Sequence, residues 1–200
     1  MRSVTIIDLD CGNIASVEFA LERAGARVNR TQNAKDIQQA ERLILPGVGA
    51  AGFAMKRMQA LGLVELIRTA RQPLLGICLG MQLLFERTEE GDVETLGLIP
   101  GEVRKLSGTV ELPVPHMGWS DLAIEKPDDP IVHGLPTSPF SYFVHSYACP
   151  VTSACVASCE YSEPFAAIVQ KDKVYGCQFH PERSAKIGSQ IIENFLRLPC

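Results

Sequence analysis

Cys78 lies two residues from a glycine on either side, in Gly76-Ile77-Cys78-Leu79-Gly80, at the end of a short apolar run that begins at Leu74. This is the layout of a nucleophile elbow with a thiol in place of a serine hydroxyl. At such a strand-to-helix turn a side chain at Gly76 or Gly80 would strike neighbouring backbone, and the residue at the apex is held in a strained conformation. The spacing therefore predicts an exposed Cys78 sulfur at the start of an amphipathic helical run through Phe85. There the positive helix end favours thiolate, and the Leu79 N–H points where an oxyanion could form. A thiol nucleophile also needs a base. Of the four histidines, His116 follows Pro115, His133 precedes Gly134 in a turn, and His145 lies in an aromatic strand, whereas His180 ends the strand Val174 to Phe179 just before Pro181-Glu182. A parallel or mixed sheet could bring that end to Cys78, with Glu182 holding one ring N–H while the other nitrogen takes the thiol proton. The plainer alternatives are an inert buried cysteine and a turn histidine stabilised by Glu182. Two independent features converging on one site favour a Cys78–His180–Glu182 relay.

Those residues must be carried by a scaffold, and the first half of the chain alternates strand and helix. Val4 to Asp8 reads as a buried strand. The turn Asp10-Cys11-Gly12-Asn13 leads into a helix with Val17, Ala20, Leu21 and Ala24 on one face, closed by Gly25. A weaker strand (Arg27 to Arg30), a short helix (Asp36 to Ala40) and a strand (Arg42 to Leu45) stopped by Pro46 follow, then helical stretches through Met58 and Ile67. The elbow strand is the fourth. This order implies an α/β fold: an open, mostly parallel sheet flanked by helices, with ligands beyond the carboxyl ends of its strands. From Gly101 onward short β-rich runs dominate, including a hairpin around Lys171-Asp172-Lys173, and they read as an antiparallel or mixed extension of the sheet. A last helix, Ile187 to Leu198, turns Ile191, Ile192 and Phe195 inward. No linker or repeat interrupts residues 1–200, so one domain is expected.

The 200 residues suffice for a substantial core, and a net charge of −4 with no Lys/Arg cluster argues against nucleic acid as a main partner. No apolar run is long enough to span a bilayer, and Met1-Arg2-Ser3 leads straight into a strand, so a cytoplasmic protein with no membrane partner is expected. Seven cysteines without a CxxC pair speak against a disulfide framework or a zinc site; no metal and no cofactor is expected.

Taken together, Gly76-Ile77-Cys78-Leu79-Gly80-Met81-Gln82 and His180-Pro181-Glu182 resemble the triad-type (class I) glutamine amidotransferases. Pro46-Gly47-Val48-Gly49, Pro115-His116-Met117-Gly118-Trp119, Tyr142-Phe143-Val144-His145-Ser146-Tyr147 and His180-Pro181-Glu182-Arg183-Ser184 are similar to motifs of the glutaminase subunits of imidazole glycerol phosphate synthases. Ser120 departs from that pattern, which usually has Asn there, and Asp8-Leu9-Asp10-Cys11 is a loose version of the usual first loop.

The resemblance implies that Cys78 attacks the glutamine side-chain amide to give a γ-glutamyl thioester and ammonia, and that water then releases glutamate. By the same carry-over, Leu79 and the Gly47-Val48 loop form the oxyanion hole. Gln82 and Glu90, with the backbone of His145, Ser146 and Tyr147, hold the amino-acid end of the substrate. The implied partner is a (β/α)₈-barrel cyclase subunit, joined as a heterodimer, that receives the ammonia through a channel in histidine biosynthesis. Asn13, Trp119, Tyr142 and Arg183 match positions near that interface. The glycines flanking Val48 suggest in addition a peptide that can turn either its carbonyl or its N–H toward Cys78, with positive φ available at Gly47. Two rival readings are a glutaminase serving another acceptor and a non-catalytic scaffold.

Overall fold

The computed structural model describes residues 2–10 and 14–200. Asn13, with most of the first turn, lies outside the described residues. In chain order the first half forms β1 (Arg2–Ile7), α1 (Ile14–Arg23), β2 (Ala26–Thr31), α2 (Ala34–Gln38), β3 (Leu43–Leu45), α3 (Ala51–Ala60), α4 (Val64–Arg68), β4 (Leu74–Ile77) and α5 (Leu79–Gln82). The second half forms β5 (Arg87–Thr88), β6 (Val93–Glu94), β7 (Glu102–Lys105), β8 (His116–Asp121), β9 (Ala123–Ile124), β10 (Phe140–His145) and β11 (Tyr147–Ala148). It ends with β12 (Cys155–Glu160), β13 (Pro164–Lys171), β14 (Val174–Cys177) and α6 (Ala185–Arg197), and has 3-10 turns at Pro130–Val132 and Pro181–Arg183.

The main sheet has eight strands in the order β2-β1-β3-β4-β14-β13-β12-β9. β2, β1, β3, β4 and β14 run parallel, and β13, β12 and β9 extend the sheet antiparallel. Strand alternation sends successive side chains to two cores. Val4 and Ile6 of β1, Ile44 of β3, and Leu75 and Ile77 of β4 join Val17 and Leu21 of α1 and Ile191, Ile192 and Phe195 of α6 on one face. Ile7, Leu43, Leu45 and Leu74 meet Met55, Met58, Ile67 and Phe85 on the other. Each fully buried side chain of this size contributes about 1.5–3 kcal/mol, so two-sided burial holds the short strands far more than β propensity does.

Three sequence expectations change. The second half is not one extension of the main sheet: β8 and β10 form a separate two-stranded ribbon, and β11-β7-β5-β6 a four-stranded sheet. The helix after Cys78 stops at Gln82 instead of running to Phe85. Leu83, Leu84 and Phe85 are fully buried, and their carbonyls accept bonds from the incoming 96–99 segment, so neither an exposed face nor a helical ladder is available to them. Finally, Gly47 is not in the left-handed region; the positive φ in its loop belongs to Gly49, at 99°.

Candidate active site

The elbow forms for the steric reasons its glycines suggest. Cys78 has φ 53° and ψ −112°, a conformation L residues rarely adopt, which costs about 1–3 kcal/mol. It is pinned on both sides: its N–H donates to the Cys177 carbonyl at 2.8 Å, and its carbonyl accepts from the Gln82 N–H at 3.2 Å. A Cβ on Gly80 would stand 1.8 Å from the Leu45 carbonyl oxygen, and one on Gly76 would stand 2.6 Å from the Gly80 oxygen. The turn can therefore close only around glycine. Cys78 is not exposed as the elbow layout suggests; it is 6% accessible and lines a cavity of about 420 Å³ together with Val48, Gly49 and residues Val144 to Tyr147.

His180 arrives through the sheet. β14 pairs in parallel with β4, Cys177 opposite Ile77, so both chains leave the sheet at the same carboxyl end beside each other. The His180 N–H donates to the Tyr142 carbonyl at 3.0 Å, and Ser184 Oγ donates to the His180 carbonyl at 2.7 Å while accepting the Tyr142 N–H at 3.0 Å. α6 seats the turn from below, since a Cβ on Gly188 would lie 1.8 Å from the Pro181 carbonyl. His180 Nδ1–H donates to Glu182 Oε1 at 2.8 Å, with both side chains buried. Its other nitrogen, Nε2, is buried and hydrogen-bonded to nothing in the protein. Burial pushes the His180 pKa down, but the Cys78 sulfur and the Glu182 carboxylate outweigh it and raise the pKa to about 10. The carboxylate and the nearby sulfur thus favour the protonated imidazole.

The other expected residues gather on the same cavity: Val48, Leu79, Gln82, Glu90, His145, Ser146 and Tyr147 all line it. Gly47 instead packs against the elbow, where its Cβ position lies 3.0 Å from Gly80 N and Leu79 Cβ. Gln82 spends both amide hydrogens on the protein, one on the Tyr147 carbonyl at 2.8 Å and one on Gln178 Oε1 at 3.1 Å. What remains is its Oε1, an acceptor suited to an α-ammonium group. Glu90 is half-buried, and its Oε2 accepts from the Ala51 N–H at the start of α3 at 2.8 Å. Among the interface candidates, Trp119 is 43% exposed and stacks on exposed Phe140 with Tyr142 against its edge; Met117 is exposed on the same ribbon face. Arg183 lines a second, mostly apolar cavity of about 120 Å³ with Val17, Pro46, Ile77 and Val144, and His180 and Glu182 line it too. Sequence reasoning missed Gln178, whose Nε2 lies 3.9 Å from Cys78 Sγ. Strand periodicity could have found it, because positions 178 and 180 fall on one face.

An elbow cysteine and a His–Glu pair at the carboxyl edge of a parallel sheet define a hydrolase that works through a covalent cysteine intermediate. The family described as Glutamine amidotransferase class-I matches residues 5–198. The chain is 50% identical over 198 residues to "Imidazole glycerol phosphate synthase subunit HisH" of Xanthomonas axonopodis pv. citri, covering 99% of this chain and 98% of that one. It is 47% identical over 203 residues to the subunit of the same name from Vibrio cholerae, covering 98% and 99%. A solved structure titled "Crystal structure of glutamine amidotransferase" superposes with TM-score 0.74 at 20% identity, covering 96% of each chain. "Structure of PurLQS from Thermotoga maritima" does so with TM-score 0.71 at 19% identity, covering 98% of each. The chain belongs to the class I glutamine amidotransferases and, among them, to the family of the HisH subunits of imidazole glycerol phosphate synthase.

Proposed function

We propose that Cys78, His180 and Glu182 carry out the glutamine hydrolysis of this family. The chain is a glutaminase subunit whose ammonia feeds a cyclase partner in histidine biosynthesis. In acylation the Cys78 sulfur bonds to the side-chain amide carbon of glutamine, and the imidazolium gives its Nε2 proton to the departing nitrogen, which leaves as ammonia. In deacylation His180 Nε2 takes a proton from water as the oxygen bonds to the thioester carbon. The thiolate leaves, and glutamate is released. Glu182 holds the Nδ1 proton throughout and so keeps Nε2 the reactive nitrogen. Leu79 N–H, first in its helix and without an intrahelical carbonyl to bond, is the principal oxyanion donor, and the loop at Gly47 and Val48 supplies the second. Gln82 Oε1 and Glu90 bind the α-ammonium, and the backbone of His145 to Tyr147 lines the substrate's other side.

The partner is a (β/α)₈-barrel cyclase that docks on the exposed Met117, Trp119 and Phe140 with half-buried Tyr142 beside them, and Arg183 at the margin of that face. The small apolar cavity at Val17, Ile77 and Val144 is the route by which neutral ammonia leaves without meeting the glutamine cavity again. All of residues 1–200 form one amidotransferase domain. Six cysteines among the described residues are free thiols, which suits the reducing cytoplasm. No helix among the described residues is long and apolar enough to cross a membrane.

The observation that carries this reading is the shared carboxyl edge of β4 and β14, which delivers Cys78 and His180 to one cavity, with Glu182 bonded to the far nitrogen of the imidazole. The test is Cys78→Ser in the complex with the cyclase. Glutamine-dependent synthesis should vanish while ammonium-driven synthesis persists. Retention of most of the glutaminase rate, or failure of ammonium to support synthesis, overturns it.

A further inference from the structure

A run of buried polar groups links the β8–β10 ribbon to the nucleophile. His116 is 1% accessible, His145 6%, Gln82 5% and Gln178 0%. Ser120 Oγ lies 2.9 Å from His116 Nε2, His116 Nδ1 lies 3.0 Å from His145 Nε2, and His145 Nδ1 lies 2.9 Å from the Tyr147 carbonyl. On the other side of that carbonyl Gln82 Nε2 makes its two bonds, to Tyr147 and to Gln178 Oε1, and Gln178 Nε2 reaches Cys78 Sγ.

We propose that this chain of hydrogen bonds makes Gln178 a positioning residue for the nucleophile, its amide locked so that an N–H is turned on the Cys78 sulfur. The Tyr147 carbonyl sets every direction, because it can only accept. His145 must therefore carry its proton on Nδ1, which leaves Nε2 an acceptor. His116 then donates through Nδ1 and accepts at Nε2, so the Ser120 hydroxyl donates. Gln82 likewise must turn its NH₂ to Tyr147. Its second hydrogen needs an acceptor, so Gln178 presents Oε1 there and Nε2 to the sulfur. Reversing the Gln178 amide would set two NH₂ groups against each other in a buried site.

The chain holds only while both outer imidazoles are neutral, and their surroundings keep them so. Burial pushes His116 down to about 4. Burial pushes His145 down to about 3; its bond to the Tyr147 carbonyl pulls the other way, and His116 and the protonated His180 add to the fall. Among the described residues no carboxylate hydrogen-bonds either ring.

The consequence is specific to the charged sulfur. An N–H beside a thiolate makes a charge-assisted bond, whereas a thioester sulfur accepts only weakly. Gln178 thus favours the thiolate both before attack and when it is expelled in deacylation. The Ser120 hydroxyl serves the network as a donor, which the side-chain amide of Asn would also provide.

This inference rests on Cys78 being the nucleophile, and its test reads Gln178 separately. In the cyclase complex, Gln178→Leu removes the donor at similar size, and Gln178→Asn keeps an amide one methylene too short to reach both Gln82 and Cys78. Both should lower glutaminase kcat about 10- to 100-fold, the range for losing a bond to a charged group, with KM changed far less. Both should also raise the pH at which iodoacetamide alkylation of Cys78 is half-maximal, and both should leave ammonium-driven synthesis intact, which reports a folded complex. A Gln178→Asn variant with wild-type kcat and alkylation profile overturns the proposal, as does a Gln178→Leu variant whose losses come without any shift of that profile. Failure of Cys78→Ser to abolish glutaminase activity would instead overturn the reading beneath it.

Discussion

Replacing Glu182 by glutamine removes one charge and almost no volume from the site. In the native arrangement His180 Nδ1–H donates to a buried carboxylate at 2.8 Å. A bond to a charged group contributes about 1.5–3 kcal/mol and a neutral one about 0.5–1.5, so the milder outcome is a loss of about 1–1.5 kcal/mol, or about 10-fold in rate. The severer outcome follows from Glu182 Oε2, which is buried and has no hydrogen-bond partner. No neighbour therefore dictates which end of the substituted amide faces His180. If NH₂ faces Nδ1, the imidazole proton is forced onto Nε2, which can no longer take a proton from the thiol or from water; such a tautomer error costs about 10,000-fold in serine triads. The Glu182→Gln complex should accordingly lose at least about 10-fold in glutaminase kcat, with ammonium-driven synthesis unchanged. The pH profile should also move. Glu182 is one of the two groups that lift His180 from 6.5 to about 10, so without its charge the alkaline limb shifts to lower pH. Stability follows the same sign: the contribution of protonated His180 is complete below about 6.5 and lost as pH rises through about 10, so the variant should lose it at lower pH than the wild type. A kcat within 3-fold of wild type with an unmoved alkaline limb would refute the assignment of Glu182.

His116 and His145 act in the opposite pH range. Each is lowered from 6.5, to about 4 and about 3, so its neutral form stabilises the fold above about 6.5 and that stabilisation is lost as pH falls toward those values, roughly 2 kcal/mol per ring by pH 5. Urea unfolding at pH 7 and pH 5 should show the drop, and equal midpoints would contradict it. Gly80→Ala should yield little folded protein, because its Cβ would occupy the place of the Leu45 carbonyl; a soluble variant with native near-ultraviolet dichroism would count against the elbow geometry. Trp119→Ala should weaken cyclase binding by about 30-fold or more, as buried aromatic anchors do, while a titration showing unchanged affinity would move the interface elsewhere.

How far the chain announced this site depends on the range of the interactions involved. Gly76 and Gly80 betrayed the elbow because a close approach of backbone leaves only one residue type, and the strand–helix rhythm of the first half fixed which sheet edge carries it. His180 and Glu182 were legible because two residues of local sequence make the ion pair. The relay through His116, His145 and Gln82 was not, since it depends on a ribbon, a strand and an elbow separated by scores of residues meeting at the Tyr147 carbonyl. The end of α5 at Gln82 was hidden for a related reason: the segment 83–85 looks helical by itself, and only the returning 96–99 segment claims its carbonyls. Gly47 shows what residue type alone leaves out: beyond its conformational freedom, its missing side chain lets the loop rest on Leu79 and Gly80, while the left-handed conformation falls at Gly49.

Glutamine should be opened by covalent attack from one sulfur, Cys78, among several buried ones. Rapid acid quench of the cyclase complex during turnover with glutamine, followed by peptide mapping, reads this directly. A γ-glutamyl adduct should appear on the peptide bearing Cys78, absent without glutamine and strongly diminished in His180→Ala. Glutamate formed at the full rate with no adduct on Cys78, or an adduct on Cys149 or Cys177 instead, would contradict it.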